Sequence, residues 1–513
     1  MNRQIIRLGV GLMVAYLVLF VQLNNIQVFG AEELATHPEN SRPLVADFGA
    51  PRGEIRASDG TVIARSVELE EGAFARQREY PLGELFAEAT GFFSFNSGSD
   101  GLERTWDDEL RGDDNELSDG VRELFGGETA TADIETTLSI PMQEAARTAL
   151  GERRGSVVAL DAQTGAVLTM WSWPTYDPNP LSSVDTAEAQ AARQELLANP
   201  DNPLLPRTTR DVFFPGSTFK IVTAAAALDA GVVELDTPIF APVIEYLPPL
   251  TTDPLQNYAA GTCGGALRDL LRQSCNAGTA QLAVELLGPD ALVDTANNFG
   301  FGDVPPIGLP DVVASNFPQD YGADLGVDVE LAPDLAAQLD DPAEVELTDD
   351  APSLAQAAIG QFDVAASPLQ MALVAAAVAN DGEVPRPHVV NRVIDSVGAT
   401  IHRPDPDVWR TAMTRETSAD LRDAMVGVVT NGTARALQSE DLVVGAKTGT
   451  AQLGADNAST HAWVIAFAGD DIDRPAIAIA VIVEADAEAG EQTGGRIAAP
   501  IANDLIGAWQ RSR

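Results

Sequence analysis

Lysine is almost absent from this chain of 513 residues. Of its 32 Lys and Arg residues, only Lys220 and Lys447 are lysines, and 76 Asp and Glu oppose those 32 cations. Because binding to nucleic acid requires clustered cations, this deficit argues against a nucleic-acid partner. Lysine differs from arginine in being a compact ammonium group that can lose its proton when it is desolvated. The two lysines are therefore candidates for proton transfer, and purely structural positions are the alternative.

Cysteine and histidine are also scarce, with two and four residues respectively. Cys263 and Cys275 can form only one pair, and an oxidising compartment would favour a local disulfide. Two small buried residues without a disulfide are the alternative. The histidines show no local pattern, and no Gly-x-Ser-x-Gly motif surrounds Ser217. A Ser-His-Asp hydrolase is therefore the last-ranked interpretation.

One long apolar run lies near the N-terminus, where residues 5–23 read IIRLGVGLMVAYLVLFVQL. This is close to the roughly 20 residues that span a bilayer. Arg3 and Arg7 lie at its start, whereas Glu32 and Glu33 follow it, so the N-terminus is predicted to be cytoplasmic. A cleaved signal peptide is the alternative, although its apolar segment would be shorter. We expect a single-pass plasma-membrane protein whose remaining residues are extracytoplasmic.

The length exceeds that of one ordinary core and suggests a division into three parts. Residues 1–24 would be a cytoplasmic tip and anchor, residues 25–135 a small mixed module, and residues 136–513 a larger domain. Within the larger domain, residues 311–352 contain no Lys or Arg and many acids. That segment is predicted to be a solvated loop or a partly disordered insertion. The ligand spacing of a calcium-binding loop is missing from it.

The larger domain combines strand-like and helix-like patterns. Residues 155–172 read as a β-hairpin, and further strands are predicted at residues 442–451, 461–468 and 475–483. Helices are predicted at residues 217–229, 265–287, 354–380 and 498–510. These patterns predict an α+β fold in which both ends of the domain contribute to a five-stranded antiparallel sheet flanked by helices.

The first lysine lies in residues 215–220, PGSTFK, where Pro and Gly precede a helical run. Residues three apart share a helix face, so Lys220 is expected to point toward the Ser217 hydroxyl. Apolar neighbours imply burial, which disfavours the charged amine and allows Lys220 to take the Ser217 proton. Ser-x-x-Lys alone is weak evidence, because it arises by chance in long chains.

Two further segments offer matching chemistry. Ser274 and Asn276 provide a hydroxyl and a carboxamide that could pass a proton and hold a substrate amide, although a cap and a turn would explain them equally well. Residues 447–450, KTGT, lie in a strand-like segment. A peptide could add along this strand, with a cation and hydroxyls near its terminal carboxylate. An ordinary edge strand is the alternative.

Taken together, the order Ser-x-x-Lys, Ser-x-Asn, Lys-Thr-Gly resembles that of serine β-lactamases and penicillin-binding proteins. Additional stretches are similar to class B penicillin-binding proteins, the monofunctional transpeptidases, so that the resemblance covers most of the chain. These stretches are residues 52–55 (RGEI), 59–60 (DG), 101–103 (GLE), 176–179 (YDPN) and 359–361 (IGQ). Phe214 and the long acidic segment depart from the usual pattern, but neither affects the reacting groups.

The resemblance implies a role for each motif residue. Ser217 would be the acylated nucleophile and Lys220 its general base, whereas Ser274 would relay a proton. The remaining assignments place Asn276 on the substrate amide, Lys447 as a source of positive potential, Thr448, Gly449 and Thr450 along the substrate, and the backbone N–H groups of Ser217 and Thr450 as the oxyanion hole.

The implied activity is D,D-transpeptidation of peptidoglycan stem peptides ending in D-Ala-D-Ala, with β-lactams as covalent inhibitors and without metal or cofactor. Alternatives are a D,D-carboxypeptidase or β-lactamase, in which water replaces the acceptor amine, and a sensor or scaffold that acylates without turnover. Size and the N-terminal module favour the transpeptidase, and residues 25–135 are too few for an additional glycosyltransferase. The resemblance also implies a glycan polymerase of the SEDS class as a membrane partner.

The Lys220→Arg substitution tests the proposed base. Because arginine stays protonated, the variant should keep the positive charge and the fold but lose acylation by penicillin. Acylation can be followed by gel fluorescence after incubation with a labelled penicillin. Labelling of Lys220→Arg at a rate near that of the unmodified protein would refute the base role.

Overall fold

The computed structural model describes residues 2–25, 45, 48–112, 131–339, 344–453, 459–486 and 492–513. It begins with helix α1 (Asn2–Asn24), whose side chains are exposed and almost all apolar in its central part. Among the described residues, this is the one helix long and apolar enough to cross a membrane. The expected apolar span is therefore confirmed as a helix, and its orientation stays a prediction.

Two larger sheets and several two-stranded ribbons make up the strands of the described residues. The strands of the larger sheets are β1 (Ile55–Arg56), β2 (Val62–Glu68), β3 (Arg76–Glu79), β4 (Asp133–Thr136), β5 (Gly155–Asp161), β6 (Val167–Trp173), β7 (Val390–Ile394), β8 (Thr400–His402), β9 (Val443–Leu453), β10 (Ser459–Gly469) and β11 (Ile477–Val483). The ribbons pair Phe93–Ser94 with Gly98–Ser99, Phe240–Val243 with Cys263–Gly265, Glu245–Tyr246 with Leu255–Gln256, Asp324–Asp328 with Glu346–Thr348, and Glu383–Pro385 with Val408–Thr411.

Helices surround these sheets. After α1 they are α2 (Ala87–Thr90), α3 (Gly101–Thr105), α4 (Asp107–Arg111), α5 (Ile140–Leu150), α6 (Thr186–Ala198), α7 (Arg207–Arg210), α8 (Lys220–Asp229), α9 (Leu267–Gln273), α10 (Asn276–Gln281), α11 (Pro289–Asn298), α12 (Pro333–Ala336), α13 (Ala351–Ala357), α14 (Pro368–Ala379), α15 (Arg415–Asn431) and α16 (Ala498–Ser512). A 3₁₀ turn, Gly216–Thr218, precedes α8, and a π-helical segment, Leu282–Leu287, follows α10.

The five-stranded sheet has the order β9-β10-β11-β5-β6, and every neighbouring pair is antiparallel. Strand β11 reads IAIAVIV and is buried at every position, as expected for a central strand covered on both faces. Helix α14 is also buried at every position and packs against β5, β10 and β11. The predicted antiparallel sheet built from both ends of the domain is thus confirmed, and β9 forms one of its edges.

Two predicted helices are interrupted in the structure. The helix predicted at residues 265–287 ends at Ser274, which has a left-handed conformation with φ of 59°, and restarts as α10. The helix predicted at residues 354–380 is divided into α13 and α14. Ser367 caps α14 by accepting the N–H of Gln370, and Pro368 begins the helix. The prediction of two continuous helices was therefore wrong. The apolar pattern continues through both segments, but the backbone conformation at Ser274 and the cap at Ser367 end one helix and begin another.

The acidic segment 311–352 combines irregular stretches with regular elements in the residues that the structure describes. It contains the ribbon formed by Asp324–Asp328 and Glu346–Thr348, and the short helix α12. Buried Tyr321 and Leu335 attach it to the core. The prediction of a solvated loop or partly disordered insertion did not include the ribbon and α12, whereas the exposure of all five residues of Asp324–Asp328 agrees with a solvated segment. Residues 340–343, with Asp340 and Asp341, lie outside the described residues.

The six-stranded sheet joins the N-terminal module to a distant part of the chain. Its order is β8-β7-β4-β1-β2-β3, and β7 and β8 come from residues 390–402. Strand β4 pairs in parallel with β1 and antiparallel with β7. The module is therefore completed by strands that follow it by more than 250 residues, as the contact between Thr136 and Val390 illustrates. The division of the chain at residue 135 stays a prediction.

A buried cluster of charges holds the module together. Glu103 is fully buried and accepts hydrogen bonds from Arg52 Nε and Arg78 Nε, both at 2.6 Å. The Tyr80 hydroxyl donates to the same carboxylate at 3.2 Å. The Asn179 amide accepts the N–H of Tyr80 and donates to its carbonyl oxygen, at 2.8 and 3.0 Å. The RGEI, GLE and YDPN stretches thus supply structural contacts within the module and to the larger domain.

Removing the carboxylate from this cluster should destabilise the protein strongly. Glu103→Ala leaves buried Arg78 without its carboxylate partner and leaves Arg52 with only that of Asp107, a loss of about 3–5 kcal/mol by comparison with other broken buried pairs. Glu79→Ala removes the carboxylate of the exposed Arg65–Glu79 pair and should cost less than about 1 kcal/mol. Denaturant unfolding of both variants measures the difference. If Glu103→Ala lowers the free energy of unfolding as little as Glu79→Ala is expected to, the Glu103 cluster does not stabilise the module.

Candidate functional site

Ser217 is held on a single 3₁₀ turn, Gly216–Thr218, and its side chain is partly exposed. The N–H of Gly216 donates to the carbonyl oxygen of Gly360 at 2.9 Å. A Cβ atom added to Gly360 would lie 2.2 Å from the Gly216 oxygen, so only glycine allows this approach. The IGQ stretch at residues 359–361 thus supports the backbone that carries Ser217.

Lys220 follows this turn after Phe219, as the first residue of α8, and has no exposed surface. Its Nζ donates to the carbonyl oxygen of Ser274 at 2.8 Å and to Asn276 Oδ1 at 2.6 Å. Because residues three apart share a helix face, we expect the Ser217 and Lys220 side chains to lie on the same side of this segment. The predicted burial of the first lysine is confirmed.

Lys447 reaches the same place from β9 and is also without exposed surface. Its Nζ donates to Ser274 Oγ at 2.8 Å and to its neighbour's carbonyl oxygen, Thr448 O, at 2.8 Å. The only two lysines of the chain therefore both bind Ser274, one through its carbonyl oxygen and one through its hydroxyl. Three segments that are far apart in sequence meet at this serine.

Burial changes the protonation of both amines. It lowers the pKa of Lys220 well below the usual 10.5, and the positive charge of Lys447 lowers it further. Burial also lowers the pKa of Lys447, to about 7. Neither amine pairs with a carboxylate in the part of the chain that the structure describes. The pocket therefore disfavours the charged form of Lys220 and makes its uncharged amine, which can accept a proton, easier to form than in water.

Strand β9 brings the KTGT segment against the Ser217 turn. A Cβ atom added to Gly449 would lie 2.8 Å from the carbonyl oxygen of Pro215, so a side chain there would push the turn away. Thr448 is buried, and its hydroxyl lies 2.6 Å from that of Thr433. Thr450 is partly exposed beside the turn. Strand β9, an edge of the five-stranded sheet, thus borders the serine.

Cys263 and Cys275 form a disulfide, with their Cα atoms 5.7 Å apart. This result settles the alternative that the sequence left open. Cys275 lies between Ser274 and Asn276, so the disulfide links the Ser-x-Asn segment to the ribbon strand Cys263–Gly265. The position of the two motif side chains therefore depends on that ribbon.

Sequence reasoning missed two polar residues of the site, Thr433 and Asn257. Thr433 faces the Thr448 hydroxyl, whereas Asn257 binds the backbone at Asn276. Neither residue belongs to a motif. Their partners lie 15 and 19 residues away in sequence, so no local pattern could have revealed the contacts.

A family model described as the penicillin binding protein transpeptidase domain matches residues 155–507. The chain belongs to the family of penicillin-binding proteins with a transpeptidase domain. A second model, the penicillin binding protein A dimerisation domain, matches residues 52–133 of this penicillin-binding protein. The second match covers strands β1, β2 and β3, and the first covers the five-stranded sheet together with β7 and β8. The resemblance inferred from the motifs is confirmed.

Relatives match this penicillin-binding protein along its entire length. The peptidoglycan D,D-transpeptidase PbpA of Mycolicibacterium smegmatis is 35% identical over 528 aligned residues, which cover 100% of this chain and 99% of the relative. PbpA of Mycobacterium tuberculosis is 35% identical, with 99% of each chain covered.

Solved structures of penicillin-binding protein A from M. tuberculosis also match the fold of this chain. The ceftriaxone acyl-enzyme complex of penicillin-binding protein A from M. tuberculosis has 32% identity and a TM-score of 0.78, and the match covers 90% of this chain and 99% of that one. The penicillin G acyl-enzyme complex has 33% identity and a TM-score of 0.77, with 90% and 100% covered.

The two lysines allow a direct test of the protonation states, because ¹³C-labelled lysine should give two side-chain NMR signals. We expect both to titrate well below the usual value of about 10.4, with Lys447 near 7. Lys447→Met removes a neighbouring positive charge and should raise the pKa of Lys220, whereas Lys447→Arg, which stays charged throughout the titration, should keep that pKa low. A normal lysine titration at Lys220 would contradict the assignment.

Proposed function

We propose that this penicillin-binding protein is a peptidoglycan D,D-transpeptidase that cross-links stem peptides ending in D-Ala-D-Ala through an acyl-enzyme on Ser217. The observation that carries the proposal is the convergence of Lys220 and Lys447 on Ser274, beside the turn that bears Ser217. The names of the full-length relatives and the β-lactam adducts of the solved neighbours support it.

Acylation begins at the Ser217 hydroxyl. Uncharged Lys220 takes its proton, and Ser217 Oγ attacks the carbonyl carbon of the penultimate D-Ala. The Ser274 carbonyl and Asn276 Oδ1 hold the lysine amine in place and accept hydrogen bonds from it in either protonation state. Burial disfavours the charged form of the amine, and this lets a lysine act as a base here.

Negative charge then develops on the attacked oxygen. The backbone N–H groups of Ser217 and Thr450 are the proposed donors to this oxyanion. Ser217 lies at the start of the helical run that continues as α8, where N–H groups lack intrahelical partners and the helix dipole is positive. Thr450 is supplied by the adjacent edge strand.

Collapse of the intermediate breaks the bond between the carbonyl carbon and the terminal D-Ala nitrogen. The leaving nitrogen receives the proton taken from Ser217, relayed through the Ser274 hydroxyl, which is hydrogen-bonded to Lys447. D-Ala departs as the free amino acid, and Ser217 carries the acyl group as an ester. An amine of a second stem peptide then attacks the ester, forms the cross-linking amide and returns the proton to Ser217.

Substrate recognition is assigned to the edge strand and its flanking side chains. The donor peptide would lie along β9, which adds backbone hydrogen bonds. Lys447, Thr448 and Thr450 would bind the terminal carboxylate, or that of a penicillin. Asn276 would contact the substrate amide with the N–H that remains after its Nδ2 donates to Gln256 O at 3.0 Å.

The cellular setting is proposed from the anchor and from the resemblance. Helix α1 would cross the plasma membrane once, with the N-terminus in the cytoplasm and the catalytic domain outside. A SEDS-class glycan polymerase would supply the strands to be cross-linked. Residues 1–24, 25–135 and 136–513 would be the anchor, the non-catalytic module and the transpeptidase domain.

Two experiments separate this function from its alternatives. Fluorescent penicillin should label the full chain and the Ser439→Ala control, in which an exposed serine is lost, but not Ser217→Ala. A labelled Ser217→Ala protein would contradict the nucleophile assignment. Incubation with a D-Ala-D-Ala donor and an amine acceptor should then give the cross-linked product. Hydrolysis alone would indicate a carboxypeptidase, and labelling without either product would indicate a sensor.

A further inference from the structure

Asn257 is a buried amide next to the site, with 5% of its surface exposed. It lies in the connection between the ribbon strands Leu255–Gln256 and Cys263–Gly265. Its Oδ1 accepts the N–H groups of Asn276 and Ala277, at 3.0 and 2.8 Å. This side-chain oxygen thus accepts from the first two backbone N–H groups of α10.

These contacts replace a missing helix cap. The first N–H groups of a helix need acceptors from outside the helix, and the residue before the first turn usually supplies one. In α10 that residue is Cys275, whose side chain makes no capping hydrogen bond and is joined to Cys263. Asn257, which is 19 residues away from Asn276, provides the acceptor instead.

The other end of the amide secures the ribbon. Asn257 Nδ2 donates to the carbonyl oxygens of Val243 and Gly261, at 2.8 and 3.1 Å. The turn closed by the second bond contains Ala259 and Ala260, which both have a φ of 51°. Non-glycine residues adopt this left-handed conformation only at a cost of order 1–3 kcal/mol, so surrounding contacts must hold it. One side chain therefore fixes a strained turn and the start of α10 relative to each other.

This arrangement reaches the proposed general base in two steps. Asn257 holds the backbone of Asn276, and Asn276 Oδ1 accepts the Lys220 amine at 2.6 Å. The disulfide at Cys275 restrains the position of the same segment, and the two hydrogen bonds that Asn257 accepts from consecutive N–H groups orient its peptide planes. The direction of the Asn276 carboxamide thus depends on Asn257, which holds its backbone, and on the carbonyl oxygen of the adjacent Gln256, which accepts a hydrogen bond from its Nδ2.

We propose that Asn257 is a positioning residue for acylation: it orients Asn276 and thereby holds the Lys220 amine against Ser217. This inference rests on the proposed function. Asn257 does not contact the Lys220 amine itself, so its effect must pass through Asn276.

The test measures acylation of the full chain by a fluorescent penicillin, as a rate at saturating concentration. Asn257→Ala should slow acylation about 10- to 100-fold, the loss expected when a catalytic group is misplaced by about 1 Å. Asn179→Ala is the matched control, because Asn179 also bridges backbone groups, at Tyr80, but lies away from the Ser-x-Asn segment. Its acylation rate should stay within about twofold of that of the unmodified protein.

Two further readouts distinguish positioning from a general loss of structure. In a background of Asn276→Ala, adding Asn257→Ala should have little further effect, because both changes interrupt one path. The pH midpoint of acylation should also move upward in Asn257→Ala, since a loosened segment admits water and brings the pKa of Lys220 closer to its usual range. Additive losses and an unchanged pH midpoint would overturn the proposal.

The outcomes also separate this inference from the proposed function. If the unmodified protein is not labelled, the proposed function itself fails. If it is labelled through Ser217 but Asn257→Ala reacts at the same rate, only the role of Asn257 is refuted. Should Asn257→Ala not fold, Asn257→Ser, whose hydroxyl is too short to reach both N–H groups, carries the same expectations.

Discussion

The site depends on one constraint: the amines of Lys220 and Lys447 are both buried beside Ser274. An ammonium group removed from water loses hydration that neutral hydrogen-bond acceptors restore only in part. Lys220 and Lys447 have such acceptors, the carbonyl oxygens of Ser274 and Thr448 and the oxygen of Asn276, but no carboxylate in the described structure. This loss of hydration and the repulsion between two like charges lower the pKa of Lys220, so that its unprotonated form is easier to reach. Arginine could not provide such a form.

The rest of the fold supplies the close packing that this pocket needs. Gly360 and Gly449 permit backbone segments to approach the Ser217 turn on two sides. Strand β9 remains an edge strand and brings Lys447 to the pocket, and the proposed function uses its free edge to bind the donor peptide. The interruption between α9 and α10 places the Ser274 carbonyl and hydroxyl within reach of different lysines. Local irregularity thus serves the site, whereas the regular sheet behind it provides rigidity.

Much of this architecture could be predicted from the sequence. Apolar alternation predicted the strands that became β5, β6, β9, β10 and β11, and the apolar run predicted α1. The scarcity of lysine, together with the order of three short motifs, identified Lys220 and Lys447 as candidate site residues. These features were predictable because they are local or because their residue types are rare.

Other features depend on contacts between distant segments. The left-handed backbone of Ser274, a conformation unusual for serine, ended a helix that the apolar pattern would have continued. Strands β7 and β8 complete a sheet whose other members precede them by hundreds of residues. The acidic ribbon at Asp324–Asp328 has few apolar residues to signal a strand. Asn257 acts through backbone groups that no sequence pattern identifies.

Mass spectrometry of the penicillin adduct tests the central claim most directly. Trypsin should release residues 211–220, DVFFPGSTFK, in which Ser217 and Thr218 are the only hydroxyl side chains. The account predicts that this peptide gains the mass of one opened penicillin and that fragmentation places the addition on Ser217. An unmodified 211–220 peptide together with an adduct elsewhere in the chain would contradict it.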